Sequence, residues 1–133
     1  MDIHTCSDDL DLSDLNEHQK TLFHGTVKNR DLLNGALGEL EKDEIDHKKI
    51  GQYLNKHHSV LRDVLQVSTS KIEFMMDAAQ NAGALGGKIN GSGGGGCMFA
   101  YAPENPELVA EAIESVGGKA YIIHSDEGTK VLI

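Results

Sequence analysis

The sequence predicts an α+β domain in which helices pack on one face of an antiparallel sheet. Hydrophobic residues recur at helical spacing up to about residue 83, and short stretches typical of strands follow. The predicted order is three helices, two strands, a helix and two strands. Two strands joined by a loop and followed by a helix and a further strand are typical of an α+β sandwich. A glycine-rich stretch, residues 84–96, separates the first two strands.

Composition limits the classes of protein to which the chain can belong. Its 133 residues suit one domain, and its net charge of −9 disfavours binding to nucleic acids or anionic membranes. No stretch approaches the roughly 20 apolar residues of a transmembrane helix, and the first residues do not resemble a signal peptide. The two cysteines, Cys6 and Cys97, are expected to be reduced thiols, which predicts a cytoplasmic protein.

The first helix follows an acidic segment. Residues 1–14 are polar and irregular, and we expect a loosely ordered lead-in before a domain of residues 15–133. A helical period begins near Leu15 and ends before the polar run at 41–44. The positions that define this period are Leu22, Thr26, Asn29, Leu33, Leu37 and Leu40.

Two further helices have clear start signals. Asp46 is a good N-cap for a helix over residues 47–65. Thr69 or Ser70 caps the third helix, and Ser70 with Glu73 has the spacing of a capping box. The apolar stripe of the third helix contains Ile72, Met75, Met76, Ala79 and Ala82.

The second half of the sequence predicts four strands and one helix. Asn105 and Pro106 are typical of a helix start, and two glycines at 117–118 follow the helix. Alternating residues at 119–124 predict a strand, and a turn at 125–128 leads to a final one. The four predicted strands are residues 87–90, 97–102, 119–124 and 129–133.

The glycine-rich stretch is the most unusual feature of the chain. It contains seven glycines in thirteen residues, yet predicted structure flanks it on both sides, unlike a flexible linker. Glycines there permit positive φ angles or a close approach to the main chain, and neighbouring N–H groups can converge on a phosphate. The alternative is a tight structural loop without a ligand.

Known phosphate motifs do not account for this loop. Gly91, Gly93 and Gly96 match the spacing G-x-G-x-x-G, but a strand follows them where a dinucleotide-binding fold requires a helix. A P-loop requires Lys and then Ser or Thr at its end, whereas Lys88 precedes the glycines.

Other candidate chemistry is sparse. The seven histidines lack the spacing of a metal site, and Cys97, beside apolar residues, predicts an inert buried thiol. Asn55, His58 and Arg62 fall on successive turns of the second helix and can line a cleft. Arg62 and Asp63 are equally consistent with a surface ion pair. No set of residues for catalysis is evident.

Residues 83–97 closely resemble the third conserved motif of the GHMP small-molecule kinases, G-A-x-G-x-K-x-[TN]-G-[AS]-G-G-G-G-C. Residues 51–63 resemble the galactokinase helix with the pattern N-x-x-H-x-x-L-R-D, and residues 126–128 resemble a common ending of the galactokinase-like branch. The resemblance therefore indicates galactokinase-like sugar kinases first, with heptose-phosphate and mevalonate kinases after them.

The resemblance implies an activity and a set of site residues. Members of this family transfer the γ-phosphoryl group of ATP, with Mg²⁺, to a small molecule, in a site between two domains. Their C-terminal domain is ferredoxin-like, and its glycine motif lies against the phosphates and the substrate. The corresponding loop residues here are Asn90, Gly91, Ser92, Gly93, Gly94, Gly95 and Gly96. Weaker candidates for the cleft are Asn55, His58, Arg62 and Lys88.

The family's nucleotide loop, a P-x-G-x-G-L-G-S-S-A type of sequence, does not occur here. We therefore expect the chain to be the C-terminal half of such a kinase, with an N-terminal kinase domain as its partner. It is expected to contain no catalytic residue and to be inactive alone. The alternative hypothesis is a non-catalytic ferredoxin-like module that binds a small ligand or another chain.

Overall fold

The computed structural model describes residues 10–128, and it confirms the α+β class. The final strand predicted at 129–133 and most of the predicted acidic lead-in lie outside the described residues. The elements, in chain order, are α1 (Glu17–Leu40), α2 (His47–Asp63), α3 (Ser70–Asn81), β1 (Gly86–Asn90), β2 (Cys97–Tyr101) and α4 (Pro106–Ser115).

The start of α3 differs in detail from the predicted capping box. Thr69 is the N-cap, and its hydroxyl accepts a hydrogen bond from the Ile72 amide at 3.3 Å. Ser70 is already the first helical residue. The Glu73 carboxylate does not close the box because it accepts hydrogen bonds from Ser68 and a histidine of α2.

The sheet consists of β1 and β2, paired antiparallel with Gly86 opposite Tyr101 and Asn90 opposite Cys97. Ile89 and Met98 are also paired, and both join the larger of two hydrophobic clusters. That cluster is built on α3 by Ile72, Met75 and Met76 with Ile89, and the smaller one joins Ala79, Ala84 and Val109. The core therefore lies between α3, α4 and the sheet.

Helix α2 packs so closely against β1 that their backbones are in contact, and α1 packs against α2. A β-carbon built on Gly86 would be 2.1 Å from the carbonyl oxygen of Gly51. A β-carbon on Gly35 of α1 would be 2.8 Å from the Tyr53 ring of α2. At Gly86 a side chain would separate the two elements, whereas at Gly35 it would require the Tyr53 ring to move.

The strand predicted at 119–124 is not observed. These residues have no regular secondary structure and form no ladder with any described strand. A groove of about 1080 Å³, lined by residues from α3, α4 and β2 and by residues 118–125, separates them from β2. Tyr121 and Ile123 are 71% and 80% exposed. The alternation of apolar and polar residues is a local pattern, whereas a β-strand forms only when its backbone pairs with the edge of a neighbouring strand.

Within the described part of the chain, no helix has both the length and the apolar character needed to cross a membrane.

Candidate functional site

The loop between β1 and β2 has a backbone conformation that requires glycine. Its residues are almost all exposed, and φ is positive at Gly91 (81°), Gly93 (82°), Gly94 (73°) and Gly95 (100°). Residues with a β-carbon adopt such angles at a cost of about 1–2 kcal/mol each. The glycine run is therefore explained by local geometry before any ligand is considered.

The loop is attached to the turn between α2 and α3. The Gly94 amide donates a hydrogen bond to the carbonyl oxygen of Val67 at 2.8 Å. A β-carbon on Gly93 would lie 2.5 Å from the same oxygen, so the two backbones touch. Gly95 is close to the methyl group of Thr69, at 3.7 Å from a built β-carbon. One side of the loop is thus held by residues 67–69.

The other side of the loop faces open space. A β-carbon at Gly91 or Gly94 would meet no atom within 4 Å, and Ser92 is exposed. A main chain with so few side chains lets an anion approach the peptide N–H groups closely. The loop main chain is therefore open on this side, and a phosphate site at residues 90–96 stays a prediction.

Lys88 precedes the loop, but its ammonium group is bonded within the sheet. Its Nζ donates to the carbonyl oxygen of Ile89 at 2.6 Å and lies 5.4 Å from the centroid of the Phe99 ring. Burial lowers the pKa of Lys88. Lys88 and Phe99 line a small cavity of about 240 Å³ with residues of α1 and α2, including Tyr53 and His57.

Asn55, another of the weaker cleft candidates, makes hydrogen bonds to the backbone at the start of β1. Its Oδ1 accepts from the Gly87 amide at 3.1 Å and from Gln80 Nε2 at 3.2 Å. Its Nδ2 donates to the carbonyl oxygen of Leu85 at 3.4 Å. The Asn55 side-chain amide thus pairs with the carbonyl group of Leu85 and the N–H group of Gly87, where the chain enters β1.

His58 and Arg62 meet at Glu73 of α3. His58 is 5% exposed, and its Nε2 lies 2.9 Å from Glu73 Oε1. Arg62 Nη1 donates to Glu73 Oε2 at 3.4 Å. Arg62 also makes a two-pronged ion pair with Asp63, at 2.7 and 2.9 Å. The hydrogen bonds that Arg62 donates to Asp63 raise the pKa of Arg62 and lower the pKa of Asp63.

The structure gives contacts for two residues of the turn after α2 that were not among the predicted site residues. Val67 accepts the hydrogen bond of the loop, and the Ser68 hydroxyl donates to Glu73. The spacing of Ser70 and Glu73 singled out the Glu73 carboxylate, but the predicted capping box with Ser70 was wrong, since Glu73 is bonded to Ser68 and His58. Cys97 was expected to be buried, yet it is exposed and free, because it begins β2 opposite the exposed Asn90.

The groups that the loop can offer to a ligand are hydrogen-bonding groups of the main chain and one side chain. Among residues 10–128, no three His, Cys, Asp or Glu side chains lie close enough to hold a metal ion. The loop offers peptide N–H groups and one hydroxyl, and its conformation is fixed by the turn behind it.

A family model described as the C-terminal domain of GHMP kinases matches residues 35–120, which include the loop and the turn that holds it. The chain belongs to this family. The motif that predicted the family, residues 83–97, contains both β1 and the exposed loop that follows it.

Similar curated proteins are mostly mevalonate kinases. The enzyme of Thermococcus onnurineus is 46% identical over 105 residues, which cover 78% of this chain and 30% of that protein. The enzyme of Pyrococcus furiosus is 45% identical over 71% of this chain and 28% of that protein. A galactokinase of Roseiflexus sp. is 40% identical over a smaller part, 56% of this chain.

A solved structure has a similar fold. The chain matches L. major mevalonate kinase, whose structure is in complex with R-mevalonate, with a TM-score of 0.50 and 26% identity. The match covers 79% of this chain and 30% of that protein. The chain thus spans less than a third of the length of these relatives.

Proposed function

We propose that this chain is the C-terminal part of an ATP-dependent small-molecule kinase, in which residues 90–96 lie against the nucleotide phosphates. The exposed main chain of the loop, open at Gly91 and Gly94, is the observation that carries the proposal. Membership of the GHMP kinase family supports it. ATP supplies the phosphoryl group in such a reaction.

The proposed contribution of the chain is positioning. Phosphoryl transfer depends on alignment of the reacting groups and on stabilisation of charge on the phosphate oxygens. Peptide N–H groups of the loop can donate to those oxygens without rearrangement, because Gly94 is anchored to Val67. In this proposal the ligands of Mg²⁺ and the group that accepts the proton of the acceptor belong to the remainder of the kinase.

Mevalonate is the acceptor that the comparisons favour. The sequence motifs ranked galactokinase-like enzymes first, but mevalonate kinases match a larger share of the chain at higher identity. A galactose-type acceptor is the second candidate, since a galactokinase is also similar over 75 residues.

The groove beside β2 is the surface that we propose for contact with the rest of the kinase. Residues of β2 and residues 118–125 line it, together with Ile72 and Val109. No described strand other than β1 pairs with β2. Contact with the remaining part of the enzyme would cover the apolar side chains that line the groove.

Complementation tests this proposal. The chain is mixed with the Thermococcus onnurineus mevalonate kinase lacking its matching region, and ATP-dependent phosphorylation of mevalonate and of galactose is measured. We expect activity only in the mixture, with mevalonate preferred, and reduced activity with Gly93→Ala but not with Gly38→Ala. Binding of the two parts without phosphorylation of either acceptor would contradict the kinase proposal and favour a non-catalytic binding module.

A further inference from the structure

The turn that carries the glycine loop is held in place by a side chain of α3. Val67 accepts the hydrogen bond of Gly94, and the amide of Val67 donates to Leu61 at 3.0 Å. The preceding residue, Gln66, has a φ of 53°, which is unusual for a residue with a β-carbon. The backbone alone does not favour this turn, so further contacts must stabilise it.

Ser68 supplies such a contact. Its hydroxyl donates to Oε1 of Glu73, one turn into α3, while its neighbour Thr69 caps the same helix. Ser68 directly follows Val67, so the Ser68–Glu73 bond limits the positions that the Val67 carbonyl can take. The loop is therefore connected to α3 through two hydrogen bonds and one peptide unit.

Glu73 is in turn fixed by α2. His58 Nε2 lies 2.9 Å from its Oε1, and Arg62 donates to its Oε2 at 3.4 Å. A carboxylate oxygen can only accept a hydrogen bond, so His58 Nε2 is the donor to Glu73. Burial acts to raise the pKa of Glu73, but hydrogen bonds from Ser68 and His58 outweigh it and lower that pKa. The group is thus a carboxylate at neutral pH, able to accept from all three donors.

We propose that Glu73 and Ser68 are positioning residues for the glycine loop. The Glu73 carboxylate holds the Ser68 hydroxyl, the position of Ser68 sets the Val67 carbonyl, and that carbonyl holds the Gly94 amide. This role concerns the loop of the proposed function, but it does not depend on nucleotide binding. The competing explanation is that the cluster only stabilises the junction of α2 and α3.

Hydrogen exchange at single amides separates the two explanations. Exchange of the Gly94 amide is measured by NMR in the 133-residue chain, with the amides of the buried residues Val60 and Ala79 as references for overall stability. Ser68→Ala is expected to speed exchange at Gly94 by about tenfold, as loss of one anchoring contact implies, while the reference amides change less. Glu73→Gln, which keeps its size and one acceptor oxygen, is expected to give a smaller increase.

Ser59→Ala is the matched control. The Ser59 hydroxyl donates to the carbonyl oxygen of Asn55 at 3.0 Å within α2 and is not one of the three donors to Glu73. This variant is expected to leave Gly94 exchange unchanged. Wild-type exchange at Gly94 in both Ser68→Ala and Glu73→Gln would overturn the proposal. Equal acceleration at Gly94, Val60 and Ala79 would also overturn it, because the cluster would then act on stability alone. No ATP is present, so failure of nucleotide binding would not affect this result.

Discussion

Gly51 of α2 and Gly86 of β1 are in backbone contact. A β-carbon on Gly51 would lie 2.3 Å from the carbonyl oxygen of Leu85, and one on Gly86 would lie 2.1 Å from the carbonyl oxygen of Gly51. No side chain fits between the helix and the strand at this point. The contact sets the position of β1, and therefore of the loop that begins after Asn90.

The first prediction concerns this contact. Gly51→Ala is expected to lower the free energy of unfolding by about 1–3 kcal/mol, because the added methyl group meets backbone atoms that cannot rotate away. This is opposite to the usual effect of Gly→Ala within a helix, which stabilises by up to about 1 kcal/mol. Urea unfolding followed by circular dichroism measures the change.

Gly38→Ala is the control for this prediction. Gly38 also lies within a helix, α1, but a β-carbon there would meet nothing within 4 Å. We expect this variant to be as stable as the wild type or slightly more stable. Equal effects of the two substitutions would show that the close contact between α2 and β1 does not exist in solution.

The second prediction separates two reasons for glycine in the loop. Gly91 and Gly93 have nearly equal positive φ angles, 81° and 82°, but only Gly93 touches Val67. Substitution by alanine should cost about 1–2 kcal/mol of backbone strain at either position. Only Gly93→Ala is expected to shift the Gly94 and Val67 amide signals in an NMR spectrum. Comparable shifts of the Val67 amide in both variants would be incompatible with the observed docking of the loop.

The third prediction concerns Asn55. Asn55→Ala removes the acceptor of the Gly87 amide, and an unpaired backbone group in a partly buried position costs about 1–3 kcal/mol. Asn34→Ala, at an exposed position of α1, is the matched control and should have little effect. Thermal unfolding measures both variants. A wild-type melting temperature for Asn55→Ala would mean that this amide does not hold β1.

The fourth prediction concerns pH. Glu39 is 3% exposed and accepts from Lys42 Nζ at 2.7 Å and Lys49 Nζ at 3.0 Å. Hydrogen bonds from Lys42 and then Lys49 lower the pKa of Glu39 from 4.5 to about 2. A carboxyl group whose pKa is lower in the folded state stabilises the fold above its unfolded pKa. This stabilisation is lost as the pH falls from about 4.5 towards 2.

Unfolding by urea at a series of pH values from 7 to 3 tests this assignment, with steps of roughly one unit. The wild-type chain should lose more stability on acidification than Glu39→Gln does. Glu41→Gln, at an exposed position two residues away, should behave like the wild type. Parallel pH profiles for the wild type and Glu39→Gln would contradict the role given to the two lysines.

Local patterns in the sequence predicted most of the helices and the two strands. Asp46 and Thr69 cap α2 and α3 as their residue types indicate, and Pro106 begins α4. Side-chain periodicity does not, however, specify which strand edges meet. Residues 119–124 alternate as a strand does, but a groove lies between them and β2.

The loop was evident from the sequence because consecutive glycines indicate positive φ angles or a close approach to the main chain. The contacts that hold the loop in place were not evident from the sequence. The link between His58 and Glu73 joins residues fifteen positions apart on different helices, and only the packing of α2 against the start of α3 brings them together. Asn55 and Lys88 had residue types suited to a cleft, but their hydrogen-bonding groups are bonded to the backbone of residues 85–89.

Titration of the chain with Mg·ATP, followed through amide NMR signals, tests the central claim most directly. The proposed function predicts shifts concentrated in residues 90–96, at millimolar or tighter affinity, and loss of those shifts in Gly93→Ala but not in Gly38→Ala. Shifts absent from the loop up to several millimolar, or spread equally over α1 and α4, would contradict a role for the loop in holding phosphate.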